Sequence, residues 1–238
     1  MQAYFQFHSK LDSFQLFSVA HLFTIGIILA LCLLLFVIHN EVSKKQRILR
    51  FLLVFILFIA DLLHHLWLIY ENAWSIKKDL PLHLSDLAVF LAIVMLLTRN
   101  YKLFQFMYFA GIGSSIQAII TPDLGKFSFP HFQYFEFFIL HGGVVLACLL
   151  IVVAFKFKPT HRSLWATILI VNLYAACVFF INKTIGSNYL YIIEKPGNAS
   201  ILNYLGPWPW YLLSMELVMI LSFYILYSPY RGVSRRRR

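Results

Sequence analysis

The chain has 238 residues, 61% of them hydrophobic and 18% aromatic, with a formal net charge of +10. This excludes a soluble domain, and the repeated long apolar runs make the chain a polytopic membrane protein. The charge does not mark a nucleic-acid binder: Lys and Arg sit in short connections between apolar runs and in the tail, where membrane proteins carry them.

Residues 1–17 mix aromatic and polar side chains, so no cleavable signal peptide is read and the first apolar run is expected to act as an uncleaved anchor. A span takes about 20 mostly apolar residues. On that rule seven spans are predicted, at roughly 17–39, 48–70, 82–98, 102–121, 132–155, 164–183 and 209–228. The fold class is therefore all-α, a polytopic helix bundle forming one integral membrane domain over residues 1–238. Gly111, Gly113, Ser114 and Ser115 in the fourth span suit close helix–helix contact. The connections after spans one, three and five, with the C-terminal tail, hold 14 of the 20 Lys and Arg. The positive-inside rule then places the N-terminus outside and the C-terminus in the cytoplasm of a bacterial plasma membrane. The tail Arg231–Arg238 would anchor to anionic lipid. Trp67, Trp74, Trp208 and Trp210 fall at the outer interface, and Trp165 near the inner one. Cys32, Cys148 and Cys177 all lie in apolar runs without metal-type spacing. They read as buried small hydrophobes, not as a disulfide or zinc motif.

The stretch Asp79-Leu80-Pro81-Leu82-His83-Leu84-Ser85-Asp86 reads as a helix start. Pro81 would sit in the first turn and Asp79 at the cap. It brings His83, Ser85 and Asp86 to lipid depth, where polar groups are costly and mark function. Asp61, His64 and His65 in span two, Gln117 in span four, Glu136 and His141 in span five, Asn182 and Lys183 in span six and Glu216 in span seven fall on the same side. A shared polar pocket facing the outer leaflet accounts for them together.

Ser85 is the candidate nucleophile. It needs a base within hydrogen-bond reach and a donor for a developing oxyanion, which the free N–H groups and partial positive charge of a helix start provide. The alternative is a serine bonded back to its own helix. His141 lies about 13 Å along its span, a depth that calls for a neutral imidazole suited to general-base work. The alternative is a histidine bridging two helices. Asp61 and His65, four apart, share a helix face and read as a hydrogen-bonded pair or as two metal ligands. The H-x-x-x-H and H-E-x-x-H spacings are absent, so no metal site or cofactor is assigned. Glu136, five residues before His141, faces another way and is a poor partner for it. Residues 186–210, rich in Pro, Gly and aromatics, read as an ordered cap lying in the interface. The sequon at Asn198 carries no weight.

Leu80-Pro81-Leu82-His83-Leu84-Ser85-Asp86, Thr121-Pro122-Asp123-Leu124, Phe129-Pro130-His131-Phe132 with His141, Gly186-Ser187-Asn188-Tyr189 and Leu205-Gly206-Pro207-Trp208-Pro209-Trp210-Tyr211 fall in one order. Together they resemble the YwaF-type integral membrane proteins of bacteria, and through them the eukaryotic transmembrane-protein-164 family. The resemblance runs from about span two to span seven. It implies a phospholipid acyltransferase with a cysteine nucleophile and a histidine on neighbouring helices, matching Ser85 and His141. This chain departs at the first, having serine where cysteine is expected; serine keeps an acyl-enzyme route open but needs a better base.

The expected function is a membrane acyltransferase or lipid hydrolase acting on phospholipid acyl chains, with membrane lipids as both substrate and solvent. Ser85 and His141 are the catalytic pair; Asp61, His65, His83, Asp86, Asn182 and Glu216 support the pocket. Asp61, Asp86 or Glu216 would orient the base, and Asn182 or the N–H groups of span three would hold the oxyanion. Two other readings stand beside it: a transporter or small-molecule receptor using Glu216 or Asp61, and a metal-dependent hydrolase built on Asp61, His65 and the other histidines. The acyl donor and acceptor and the oligomeric state are not legible.

Overall fold

The computed structural model describes residues 4–8, 12–196 and 201–231. The tail arginines beyond Arg231, the sequon at Asn198 and Lys10 lie outside them. Among the described residues the chain forms seven α-helices and no strand: α1 (Val19–Val37), α2 (His39–Tyr70), α3 (Leu84–Thr98), α4 (Tyr101–Ile120), α5 (Phe132–Phe155), α6 (His161–Ile185) and α7 (Trp210–Tyr227). Six are long and apolar enough to cross a membrane; α3, at 15 residues, is shorter. Successive helices alternate in direction. The α1–α2, α3–α4 and α5–α6 connections and the end of α7 therefore gather at one end, the basic end. The N-terminal segment and the other three connections gather at the opposite end, the cap end.

Helix ends follow local chemistry. Ser18, Asn100, His131 and Thr160 each accept a first-turn N–H at their helix start, and Thr160 with Ser163 completes a capping box. Gly186 ends α6 in the left-handed region at φ 67°. Helix α2 starts at His39, nine residues before the predicted span, because Glu41, Lys44, Lys45 and Arg47 are good helix formers although too polar for lipid. Lys44 and Lys45 pair with Glu41 on this exposed turn.

Helix α5 is the central post, packed on α1, α2, α3 and α4. Gly142 lets Ile28 of α1 approach, and Gly143 lets Leu57 of α2 approach so closely that an added Cβ would stand 2.7 Å from its Cδ2. Helices α6 and α7 pack mainly on α4 and on each other, with Phe223 of α7 against Gly113. His21, fully buried on α1, accepts from Phe17 N–H through Nδ1 and donates to Ile119 O through Nε2, which ties α1 to the end of α4. Of the three cysteines only Cys148 is buried. Cys177 is exposed on α6, correcting the expectation of three buried thiols: an apolar run in a bilayer needs no protein cover.

The short α3 shapes the cap end. Only Arg99 and Asn100 separate it from α4 at the basic end, so its start stops about 7 Å short of the end of α4. Residues 79–83 therefore run non-helical within the bundle, which lipid would not tolerate but a cavity wall does. This corrects the expected helix start. Pro81 precedes the helix and disfavours helical geometry at Leu80. Asp79 accepts from Ser75 N–H at 2.6 Å instead of capping α3, and His83, extended at ψ 143°, is the residue at the cap position. The loop is pinned from α6 and the turn after it. Tyr174 donates to Leu82 O at 2.9 Å; the Tyr189 hydroxyl donates to Ile76 O at 2.7 Å and accepts from Leu80 N–H at 3.0 Å. At the same end the N-terminal segment docks on α2: Trp67 donates to Phe5 O, and Phe7 N–H donates to Glu71. His131, held neutral below its ordinary range by burial, joins this layer through Gln6 O at 3.2 Å.

Candidate functional site

A cavity of about 720 Å³ opens at the cap end, between the start of α3, the last turns of α2, the second half of α4, the middle of α6, the first half of α5 and the inner face of α7. Ser85 and His141 both line it, as do Asp61, His65, His83, Asp86 and Glu216. Asn182 does not. Its side chain is the knot of the α6 terminus, accepting from Tyr189 N–H at 2.9 Å and Ser187 at 2.7 Å and donating to Tyr189 O at 2.9 Å. With every polar atom taken and 2% exposure, Asn182 shapes the Tyr189–Tyr191 turn over the cavity, and its amide is not offered to a ligand.

Ser85 stands in the first turn of α3. Its hydroxyl donates to Asp86 Oδ1 at 3.3 Å and makes no hydrogen bond to His141. Asp86 N–H and Leu87 N–H both turn back to His83 O. The N–H groups of Leu84 and Ser85 have no acceptor among the described residues, and no side chain caps this helix. Two adjacent donors at a positive helix end, beside a hydroxyl, make an anion-stabilising corner.

His141 projects from the middle of α5 and is 4% exposed. Its Nδ1 is buried without a hydrogen-bond partner. Among the described residues no carboxylate holds the ring; the edge-on contact with Phe137, 4.2 Å between centroids, does. None of Asp61, Asp86 and Glu216, the acids proposed to orient it, is hydrogen-bonded to it. Glu216 accepts from Asn172 at 3.1 Å, across the α6–α7 seam. Asp61 and His65 share the cavity wall without bonding each other, and His65 instead accepts from Trp74 at 3.4 Å. His83 accepts from Leu190 N–H at 3.3 Å and packs between Tyr189 and Tyr191. Among the described residues, no three His, Cys, Asp or Glu side chains converge closely enough to hold a metal ion.

The sequence reading missed one cluster. Glu136, 4% exposed, lies 3.4 Å from His64 Nδ1, and Gln133 donates to it at 3.1 Å. The signal was present, since a carboxylate within an apolar span needs a partner. Its partner sits on another helix, at a rotation that sequence does not give. Gln133 and His141 both line the cavity, and Gln133 Oε1, like His141 Nδ1, is buried without a partner. At the mouth, Tyr191 donates to Asp123 at 2.7 Å, and burial pushes its hydroxyl well above the usual phenol range, so it stays a donor.

The sequence model of the TMEM164 family matches residues 16–227. An uncharacterized protein of Treponema pallidum (strain Nichols) is 28% identical over 157 residues, covering 66% of this chain and 64% of the relative, so the match spans less than two thirds of that protein. No solved structure matches.

Proposed function

Since the chain belongs to the TMEM164 family of membrane proteins, we propose that it transfers or hydrolyses phospholipid acyl chains through Ser85 and His141. The observation that carries this reading is His141: it lines the same cavity as Ser85, and its Nδ1 is buried with no partner. Leaving such an atom unpaired costs about 1–3 kcal/mol, which a purely structural histidine would avoid. Proton transfer to and from an arriving hydroxyl accounts for the cost.

Ser85 Oγ attacks the ester carbonyl carbon and gives its proton to His141. The Leu84 and Ser85 N–H groups receive the oxyanion. The bond from the carbonyl carbon to the glycerol oxygen breaks, and that oxygen takes the proton back from His141. A lysolipid, another alcohol or water then attacks the Ser85 ester and passes its proton to His141; the acyl–Oγ bond breaks, Ser85 Oγ takes that proton back, and the acyl chain leaves as a new ester or a fatty acid. Serine is less acidic than cysteine, and the Asp86 contact helps polarise its hydroxyl. The positive-inside distribution supports an outward-facing cap end in the plasma membrane. Cysteine labelling at the loop tip around Trp74 in intact cells tests that orientation.

The reaction is tested by trapping. The purified protein is incubated with a phospholipid carrying a tagged acyl chain, and the Ser85 peptide is examined by mass spectrometry beside Ser85→Ala and His141→Ala. An adduct on Ser85 lost in both variants is expected. Full lipid turnover by Ser85→Ala would overturn the mechanism. The Glu216–Asn172 bond on the cavity wall favours one rival, a transporter or receptor. It predicts pH- or sodium-dependent binding that Glu216→Gln removes and Ser85→Ala does not.

A further inference from the structure

We infer, on the reading that Ser85 takes an acyl group, that the chain lies in an apolar arm of the cavity between α4, α6 and α7, and that Phe223 sets its length. The cavity is not uniform. Many of its polar groups gather at the cap end around Ser85, while between α4, α6 and α7 its walls are formed largely by Ala110, Gly113, Ala175, Met215, Met219 and Phe223, with Ser114, Asn172, Glu216 and Ser222 among them. The α4 and α6 walls contribute small side chains, and the α7 wall contributes two flexible thioethers that conform to a chain. From Leu212 to Phe223 the wall on α7 runs about 16 Å at 1.5 Å per residue, the scale of an extended acyl chain and not of a compact polar solute.

Most polar groups in the arm have partners. Ser222 donates to Val218 O at 2.7 Å, Ser114 turns back to Gly111 O, and Asn172 takes Glu216 Oε1. Away from the Glu216 carboxylate the wall offers water little to bond, and an apolar surface of that kind accepts hydrocarbon. Phe223 closes the arm. It is 2% exposed, and its ring edge lies 3.1 Å from the place a Cβ on Gly113 would take. Phe109 backs it at 5.5 Å between centroids. The ring has nowhere to withdraw, so a chain longer than the arm meets a fixed floor.

The test uses the full chain carrying Ser85→Ala, in nanodiscs doped with phosphatidylethanolamine that bears a photoactivatable diazirine at the middle or the end of one acyl chain. The end-of-chain probe is expected to label Met219 and Phe223, and the mid-chain probe Met215. Bulk lipid reaches instead Leu217, Leu221 and Ile225, which are 58%, 54% and 70% exposed on the outer face of the same helix. Ala175→Leu is expected to reduce arm labelling about tenfold, the effect of displacing roughly two methylenes, with outer-face labelling unchanged. Phe223→Ala, or Met219→Ala should the first fail to fold, is expected to shift the favoured chain to greater length. Labelling confined to the outer face, or a chain preference unmoved by all three variants, overturns the inference. Because Ser85→Ala cannot form an acyl-enzyme, the two readings fail separately. Arm labelling without a Ser85 adduct in the native chain removes the reaction alone; a Ser85 adduct without arm labelling removes the arm alone.

Discussion

Replacing His141 by leucine separates a functional histidine from a structural one. The substitution keeps roughly the same volume and removes the unpaired Nδ1, which costs about 1–3 kcal/mol where it is buried. It also removes the edge contact with Phe137, worth about 0.5–1.5 kcal/mol. The difference is a net gain of about 1 kcal/mol, or about 2–4 °C in melting temperature for a chain of this size. His21 supplies the control. Both of its ring nitrogens are bonded, so His21→Leu strands Phe17 N–H and Ile119 O and is expected to cost about 1–3 kcal/mol. The assay is thermal unfolding of the three proteins in one detergent, with acyl turnover measured in parallel. The expected result is His141→Leu more stable than the native chain and inactive, and His21→Leu less stable. A His141→Leu protein that melts several degrees below the native chain would refute the reasoning and make His141 a bridge between helices.

Asn182→Ala is expected to cost about 2–4 kcal/mol, because it strands Tyr189 N–H and breaks three hydrogen bonds at the α6 terminus. Hydrogen exchange should rise first in residues 186–193, and unchanged exchange there would mean the turn is held by something else. His131 gives a pH dependence. Burial lowers its pKa from about 6.5, so the folded protein binds fewer protons than the unfolded chain and its stability rises with pH up to that value. The contribution is fully present above pH ~6.5 and declines as pH falls below it. Proteolysis of the N-terminal segment docked at Gln6 should accelerate in that range, and a rate flat between pH 7.5 and 5 would count against the burial argument.

The sequence alone determined the seven helices to within about three residues at nearly every end, and their alternation across a membrane. Apolar runs of span length have no other solution in lipid, where every backbone group must be bonded within its own helix. It also showed which side chains had to be explained, since Ser85, Asp86, Glu136 and His141 each break an apolar run. It did not show the polar extension of α2, because charge hides a helix that has left the bilayer. Nor did it show that α3 starts at Leu84, where the Asp79–Ser75 turn outcompetes an earlier cap. The tertiary structure alone decided which groups meet. Rotation and register of packed helices placed Glu136 against His64, took Asn182 out of the cavity into the α6 turn, left His141 Nδ1 without a partner, and set Phe223 beneath Gly113. A span's hydropathy is nearly blind to that rotation. Lipid accepts any apolar face equally, so the choice falls to contacts as local as Gly143 against Leu57.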